Sequence, residues 1–212
     1  RYLSIKGHVM AVEQKAYKKQ AAAFRKEGGV LRTTEAIRAG ISPRDLYSMR
    51  DEGVVDSLSR GIYRLASMPP LSNPDLVSVS LRAPHGVICL ISALAFHELT
   101  TQIPHEVYVA IDRFTRPPRV DYPPVRVFKF SGEAFTEGVE IHRIDGFQVK
   151  IYSPEKTVAD CFKFRNKIGS DTAIEALKFY CKRKRKDIDA LMRYARICRV
   201  DKIISPYLEA LL

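Results

Sequence analysis

Four side chains that can hydrogen-bond to nucleic acid lie close together in the first third of the chain. They are Arg44, Tyr47, Ser48 and Arg50. A guanidinium group can make paired hydrogen bonds to guanine or to a phosphate, and hydroxyl groups can bond to base edges or to the backbone. The apolar residues Leu46 and Met49 stand three positions apart among them, which is the spacing of one buried helical face. The pattern predicts a helix with a buried apolar side and a polar side that faces DNA.

The residues before this segment predict where its helix begins and where an earlier helix lies. Ser42-Pro43 is a strong start signal, because serine can cap free amides and proline suits the first helical position. We therefore expect a helix over about residues 43–52. A preceding helix over residues 33–39 is expected to be capped by Thr33 and to carry Glu35 in its electropositive first turn.

A basic hairpin is predicted directly after the two helices. The β-prone runs 54–58 and 62–65 flank Ser59-Arg60-Gly61, which indicates two short strands with a basic tip. Arg60 and Arg64 are expected to face phosphates, and Thr33 and Ser42 to present helix N-termini to phosphate. The layout is that of a winged helix-turn-helix. The alternative interpretation is a module of the same shape that binds only protein.

The charge distribution favours DNA as the partner. The chain carries a formal net charge of +11; residues 1–68 hold 13 basic and 7 acidic residues, and the remaining 144 hold 22 and 17. The front segment is therefore the more basic per residue, and each cation that neutralises a phosphate releases a condensed counterion. Residues 12–26 are helix-like and are expected to form the first helix of this domain. No function is inferred from residues 1–10.

Several motifs resemble those of the AbiEi-type antitoxins of bacterial type IV toxin-antitoxin systems. The N-terminal motifs are LRTTEAIRAGIS, R-x-L-Y-x-x-x-x-E-G-V-V and SRGIYRL; the later ones are ICLISALAFHELT, EVYVAID and VKIYSPEKTVADCFKFRNKIG. The resemblance covers about residues 25–212. Many repressors share the winged-helix motifs, so these motifs alone do not identify a family. The presence of SPEKTVADCFK in the same chain is what makes the resemblance specific to AbiEi-type antitoxins.

The resemblance implies a function in defence by phage abortive infection. Such a protein represses its own promoter at inverted repeats through a winged helix, here residues 1–68. It counters a nucleotidyltransferase-like toxin through its C-terminal domain, here residues 69–212, without forming a stable complex with it. A monomer in solution is expected. The competing hypothesis is a stand-alone winged-helix transcription regulator whose C-terminal domain senses a ligand or dimerises.

The second part of the chain is predicted to be an α+β domain with a helical C-terminal end. The segment 67–74 interrupts both periodicities with proline and serine. The apolar run 87–91 is expected to enter a helix capped by Ser92, and strands are expected at 107–111 and 125–130. Asp145-Gly146 between the runs 139–144 and 147–152 predicts a β-hairpin. Helical periodicity follows from Ser153-Pro154 onward.

Two basic groups in this domain are candidates for a secondary nucleic-acid surface. One interleaves arginines with Phe114 and prolines after a predicted strand, and the other is an unbroken run of cations between two helices. The alternative for both is a solvated loop, which is the usual role of a charge run. The residues are Arg113, Arg116, Arg119, Lys182, Arg183, Lys184, Arg185 and Lys186.

Catalysis is a competing hypothesis that rests on few residues. Gly169-Ser170 followed by Asp187-x-Asp189 faintly resembles a nucleotidyltransferase site, in which a Gly-Ser turn holds phosphate and paired carboxylates hold Mg²⁺. The aspartates, however, open an apolar-periodic helix, where helix capping explains them. No Walker loop, nucleophile elbow or dinucleotide-binding motif is present. We expect no catalytic residues.

Cysteine and histidine usage predicts neither a metal site nor a cofactor. The four cysteines stand far apart without C-x-x-C spacing, and the five histidines show no metal-ligand spacing. Reduced, mostly buried thiols are expected, and His97 is expected to be a partly buried helix residue rather than a ligand. No run approaches the roughly 20 apolar residues of a membrane span and no signal segment stands at the start, so the expected location is the cytoplasm.

Overall fold

The computed structural model describes residues 16–212. The chain divides into two compact units, and the division falls after Pro74. The first is called the N-terminal unit and the second the C-terminal unit. Among residues 16–212, no helix has the length and apolar character needed to cross a bilayer.

The N-terminal unit is a winged helix. Its elements are α1 (Lys18–Lys26), β1 (Val30–Arg32), α2 (Thr33–Arg38), α3 (Pro43–Asp51), β2 (Val55–Ser59) and β3 (Ile62–Leu65). The three strands form an antiparallel sheet in the order β1-β3-β2. The predicted helix-turn-helix and hairpin are confirmed. The strand β1 was not predicted, and residues 12–15 of the predicted first helix lie outside the described residues.

One apolar core joins the helices of this unit to its sheet. Phe24 of α1, Leu46 and Met49 of α3, and Leu65 of β3 are fully buried in it. The helix α2 ends at Arg38, and Gly40 follows its C-cap Ala39 with a φ of +83°, in the left-handed region that glycine adopts without strain. The short turn that follows is what lets α2 and α3 share this core.

The C-terminal unit is built on a five-stranded mixed sheet with the order β6-β5-β4-β8-β7. The pairs β5-β6 and β4-β8 are parallel, and the pairs β4-β5 and β7-β8 are antiparallel. The strands are β4 (Val87–Ile88), β5 (Val107–Asp112), β6 (Val125–Phe130), β7 (Val139–Ile144) and β8 (Phe147–Tyr152). The predicted hairpin is confirmed: Asp145 and Gly146 both have positive φ, as a tight two-residue turn requires.

Eight helices complete this unit, which confirms the predicted α+β fold with a helical end. They are α4 (Pro74–Arg82), α5 (Leu90–Phe96), α6 (Glu133–Thr136), α7 (Pro154–Lys163), α8 (Arg165–Ile168), α9 (Ser170–Cys181), α10 (Ile188–Cys198) and α11 (Asp201–Glu209). The helix α7 contacts α5, α9 and α10. It begins as predicted, with the Ser153 hydroxyl accepting the Lys156 amide N–H at 3.2 Å.

The predicted capping role of Ser92 is wrong. The helix α5 begins at Leu90 with Cys89 as its N-cap, so Ser92 lies inside the helix. Its buried hydroxyl accepts the N–H of Tyr108 at 3.0 Å and lies 3.4 Å from the carbonyl oxygen of Glu106. Ser92 therefore fixes α5 to β5 instead of starting a helix.

Candidate nucleic-acid interface

The position of α3 is fixed from its N-terminus and from its apolar side. The Ser42 hydroxyl accepts the N–H of Asp45 at 3.0 Å, and Pro43 occupies the first turn. Leu46 and Met49 have no exposed surface. Because both anchors act on the same nine-residue helix, the rotation of its polar side is determined.

The polar side of α3 carries four of the predicted contact residues. Arg44, Tyr47 and Arg50 are exposed, and Ser48 is half-buried. The Arg50 guanidinium lies 5.3 Å from the centre of the Tyr47 ring and donates to Asp51 at 2.7 and 2.9 Å. That hydrogen bond raises the pKa of Arg50, so the group stays charged. A phosphate or a base would have to compete with Asp51 for this guanidinium.

Arg44 stands in a different situation from Arg50. It is exposed in the first turn of α3, and within residues 16–212 its side chain makes no hydrogen bond or ion pair. Its guanidinium can therefore meet an acidic ligand without first breaking an internal contact. Of the two arginines on α3, Arg44 can bind an anion directly, whereas Arg50 would first have to break its hydrogen bonds to Asp51.

The two arginines of the wing have opposite environments. Arg60 is exposed at the turn between β2 and β3. Arg64 is buried, with 8% of its surface exposed, and donates to the backbone carbonyl of Pro69. The prediction that Arg64 faces phosphate is wrong, because its side chain is buried and its guanidinium donates to the carbonyl of Pro69.

Thr33 also has a role that differs from the prediction. The helix α2 begins at Thr33 itself, and the backbone N–H that Glu35 accepts, at 2.7 Å, belongs to Arg32. The Thr33 hydroxyl and N–H both donate to the carbonyl of Gly61, at 3.3 and 2.9 Å. Thr33 therefore ties α2 to the wing turn, and its hydroxyl does not cap the helix.

In the C-terminal unit, the arginine-rich loop after β5 is exposed and internally braced. Arg113, Arg116 and Arg119 are all exposed, and Phe114 is 82% exposed. The Arg113 guanidinium lies 4.6 Å from the centre of the Phe114 ring. The Asp112 carboxylate accepts the N–H of Phe114 at 2.9 Å. An exposed aromatic ring beside arginine is a surface on which a nucleic-acid base can stack.

The cationic run between α9 and α10 is partly engaged in the fold. Arg183 donates to the carbonyl of His97 at 3.3 Å, and Lys186 donates to the carbonyl of Cys181 at 2.9 Å. Lys182, Lys184 and Arg185 are exposed. At least two of the five cations therefore have structural partners, although Lys186 is itself exposed, so that four of the five are accessible to solvent.

A cavity of about 510 Å³ in the C-terminal unit is lined by the predicted candidate Arg113 and by two cations that the sequence did not indicate, Lys163 and Arg199. Arg113 contributes from the loop after β5, Lys163 from the end of α7, and Arg199 from the residue after α10; Glu133 is the acidic residue of the lining. No local motif marks Lys163 or Arg199. Only the packing of α7 and α10 brings them beside Arg113.

Residues 19–66 match the family model described as a transcriptional regulator, AbiEi antitoxin. The resemblance to AbiEi-type antitoxins is confirmed for this segment. The match covers α2, α3 and the wing, and it supports a DNA-binding antitoxin in general. No curated protein sequence matches the chain.

A solved structure shares the fold of most of the chain. It is the crystal structure of the RV2827C protein from Mycobacterium tuberculosis, with a TM-score of 0.54 and 12% sequence identity over 90% of this chain and 79% of that one. At this identity the likeness concerns the fold alone.

Residues of the competing catalytic hypothesis lie at the N-termini of two helices. The Asp187 carboxylate accepts the N–H of Ala190 at 2.8 Å and caps α10, and Ser170 is the first residue of α9.

All four cysteines are buried and free. Burial raises the pKa of Cys89 and Cys161 well above the usual range and that of Cys198 to about 12, so these thiols are protonated at neutral pH.

Proposed function

We propose that this protein is an antitoxin that represses its own promoter through α3 and opposes a nucleotidyltransferase-like toxin through its C-terminal unit. In this proposal the predicted domain 1–68 binds DNA and the predicted domain 69–212 carries the antidote function, although residues 69–74 belong to the N-terminal unit of the structure. The AbiEi match over residues 19–66 and the net charge of +11 both support it.

The observation that carries the DNA-binding part is the exposed polar side of an anchored helix. In a winged helix the second helix of the helix-turn-helix enters the major groove, with its N-terminal residues on the base edges. Here that end carries Arg44 and Tyr47, and the cap at Ser42 holds it in place. We assign base or flanking phosphate contacts to Arg44, Tyr47, Ser48 and Arg50, with the amides near Ser42-Pro43 facing phosphate.

The wing contributes backbone contacts in this proposal. Arg60 is exposed at the wing turn and can neutralise a phosphate on the flank of the groove. Arg64 has no part in it, because its guanidinium is buried on the carbonyl of Pro69. Thr33 acts indirectly, since it holds the wing turn that carries Arg60.

Binding of the full chain to its own promoter tests the DNA-binding part. Fluorescence anisotropy with the promoter duplex and with a scrambled duplex, at several salt concentrations, is expected to give tighter binding to the promoter at every salt. Gel filtration would test the expected monomer. Equal affinity for both duplexes under all conditions would contradict sequence-specific repression.

The antidote part is tested separately by co-expression. A bacterial host carrying the neighbouring gene under an inducible promoter is expected to stop growing, and this protein is expected to restore growth. The double variant Arg44→Ala/Arg50→Ala should lose repression of a promoter reporter and still restore growth, because both substitutions lie in the N-terminal unit. A harmless neighbour, or toxicity without rescue, would contradict the antitoxin assignment. Co-purification of the toxin would contradict antagonism without a stable complex.

The cationic cavity favours a second candidate function, a regulator whose C-terminal unit senses a small anionic ligand. Its volume of about 510 Å³ lies within the range of small-molecule sites. Arg113, Lys163 and Arg199 would together favour a phosphate or carboxylate group. Promoter affinity that changes with a nucleotide or sugar phosphate, and no longer does so in Lys163→Ala, would favour this function over the first.

A further inference from the structure

Three side chains with metal-ligand chemistry meet beside the edge strand of the C-terminal sheet. His97 is the residue that ends α5, and Glu140 and His142 lie two positions apart on β7, so that both point to the same face of the sheet. One potential ligand atom from each of the three lies within 4.8 Å of the others. The closest pair is His142 Nε2 and Glu140 Oε2, at 2.9 Å.

The hydrogen bonding of His97 prepares its ring to act as a ligand. Nε2 lies 2.7 Å from the carbonyl oxygen of Tyr152. Because a carbonyl oxygen only accepts hydrogen bonds, Nε2 carries the proton and the neutral ring keeps its lone pair on Nδ1. Histidine ligands of metals characteristically donate their other N–H to a carbonyl or carboxylate in this way.

Neighbouring residues orient the rings of His97 and His142, and an ion can reach the three side chains from solvent. Phe96 packs edge-on against His97 and His142, with ring centres 5.2 and 4.8 Å apart. The side chains of Glu140 and His142 are 44% and 29% exposed, so an ion can reach them from solvent. Glu140 supplies a negative charge, whereas Arg183 on the carbonyl of His97 is the opposing cation.

We propose that His97, Glu140 and His142 form a site for a divalent transition metal, with zinc as the best-fitting ion. Two imidazoles and one carboxylate suit zinc, while magnesium and calcium prefer oxygen ligands alone. A water molecule completes a tetrahedral shell on the exposed side. The metal takes the place of the proton shared by His142 Nε2 and Glu140, and the neutral His142 ring then carries its proton on Nδ1. The ion so links the end of α5 to β7. This site is independent of the DNA-binding proposal.

Metal titration of the full chain, purified with a chelator and returned to chelator-free buffer, tests the site. Competition with a chromophoric zinc chelator is expected to reveal one zinc site per chain, and Co²⁺ is expected to give the visible absorption of a tetrahedral complex. His142→Ala and Glu140→Gln should each weaken zinc binding by about 100-fold or more. His85→Ala and His105→Ala remove exposed histidines elsewhere in this unit and should leave zinc binding unchanged.

The test uses variants of Glu140 and His142, because His97 is buried and its replacement could disturb folding. Circular dichroism of His142→Ala and Glu140→Gln is expected to match that of the parent protein. Zinc should raise the melting temperature of the parent and not of His142→Ala. Equal zinc affinity in the parent, His142→Ala and Glu140→Gln, or absence of zinc binding by the parent, would overturn the proposal.

Discussion

Lys156 donates to both carboxylate oxygens of Asp160, at 2.6 and 2.5 Å, at a place where neither side chain has any exposed surface. The two residues are one helical turn apart on α7, and the Cys198 thiol of α10 donates to the same carboxylate at 3.2 Å. Burial raises the pKa of Asp160 and the ammonium of Lys156 opposes that rise. The pair therefore lies at the junction of the helices that close the C-terminal core.

Breaking this pair on one side is expected to destabilise the protein strongly. Lys156→Met leaves the Asp160 carboxylate buried without its cation, and Asp160→Asn leaves the Lys156 ammonium without its anion. Each should lower the free energy of unfolding by about 3–5 kcal/mol, measured by urea denaturation. The double variant Lys156→Met/Asp160→Leu removes both charges and should lose less than either single variant. A loss in the double variant equal to the sum of both singles would contradict a coupled pair.

Gly138 is expected to tolerate no side chain, because a Cβ atom there would meet Lys156. Its φ is +73°, and a Cβ would lie 2.6 Å from the Lys156 Cβ and 2.8 Å from its Cγ. Gly138→Ala should therefore cost the left-handed strain of about 1–2 kcal/mol together with the cost of displacing α7. Gly146→Ala, at φ +91° with no atom within 4 Å, is the matched control for strain alone. Equal thermal stability of the two variants would contradict the clash.

The Ser42 cap is expected to stabilise the N-terminal unit through α3. Ser42→Ala removes the acceptor for the Asp45 N–H and should lower stability by about 0.5–2 kcal/mol. Ser42→Asp replaces one capping acceptor with another and adds a negative charge at a helix N-terminus, so it should retain most of the stability. Thermal denaturation of the three proteins measures this. Parent-like stability of Ser42→Ala would show that the cap has no stabilising role.

The four thiols are expected to resist modification while the protein is folded. All are buried, and burial raises the pKa of each. Ellman's reagent at neutral pH should react slowly with the folded chain and rapidly with all four cysteines in denaturant. Cys181, at 9% exposed, should react first in the folded protein. Rapid reaction of Cys161, which has no exposed surface, would contradict the packing of α7.

The sequence correctly predicted helix starts and turns whose formation depends on residues that are neighbours in the chain. Ser42-Pro43 and Ser153-Pro154 both cap helices as expected, and Asp145-Gly146 turns a hairpin. The failures occur where tertiary neighbours decide. Thr33 bonds to the wing, Ser92 bonds to a strand, and Arg64 is buried with its guanidinium on the carbonyl of Pro69.

Groups assembled from separate elements have no sequence spacing that reveals them. His97 comes from the end of α5 and its neighbours Glu140 and His142 from β7. The cations of the cavity likewise come from a loop, from α7 and from the end of α10. Their proximity depends on the order of strands and helices, which periodicity does not determine. The polar side of α3, in contrast, was predictable because one helix carries all of it.

Arg44 and Arg60 are expected to contribute to promoter binding in different ways. Arg44 lies on the helix proposed to read bases, so Arg44→Ala should cost about 1–3 kcal/mol on the promoter and relax specificity at one base pair. Arg60 lies on the wing turn, so Arg60→Ala should weaken promoter and scrambled duplex alike and reduce the salt slope by about one unit. Lys202→Ala, which removes an exposed charge from α11, should bind like the parent protein. Parent-like binding by both arginine variants at every salt concentration would remove α3 and the wing from the proposed interface.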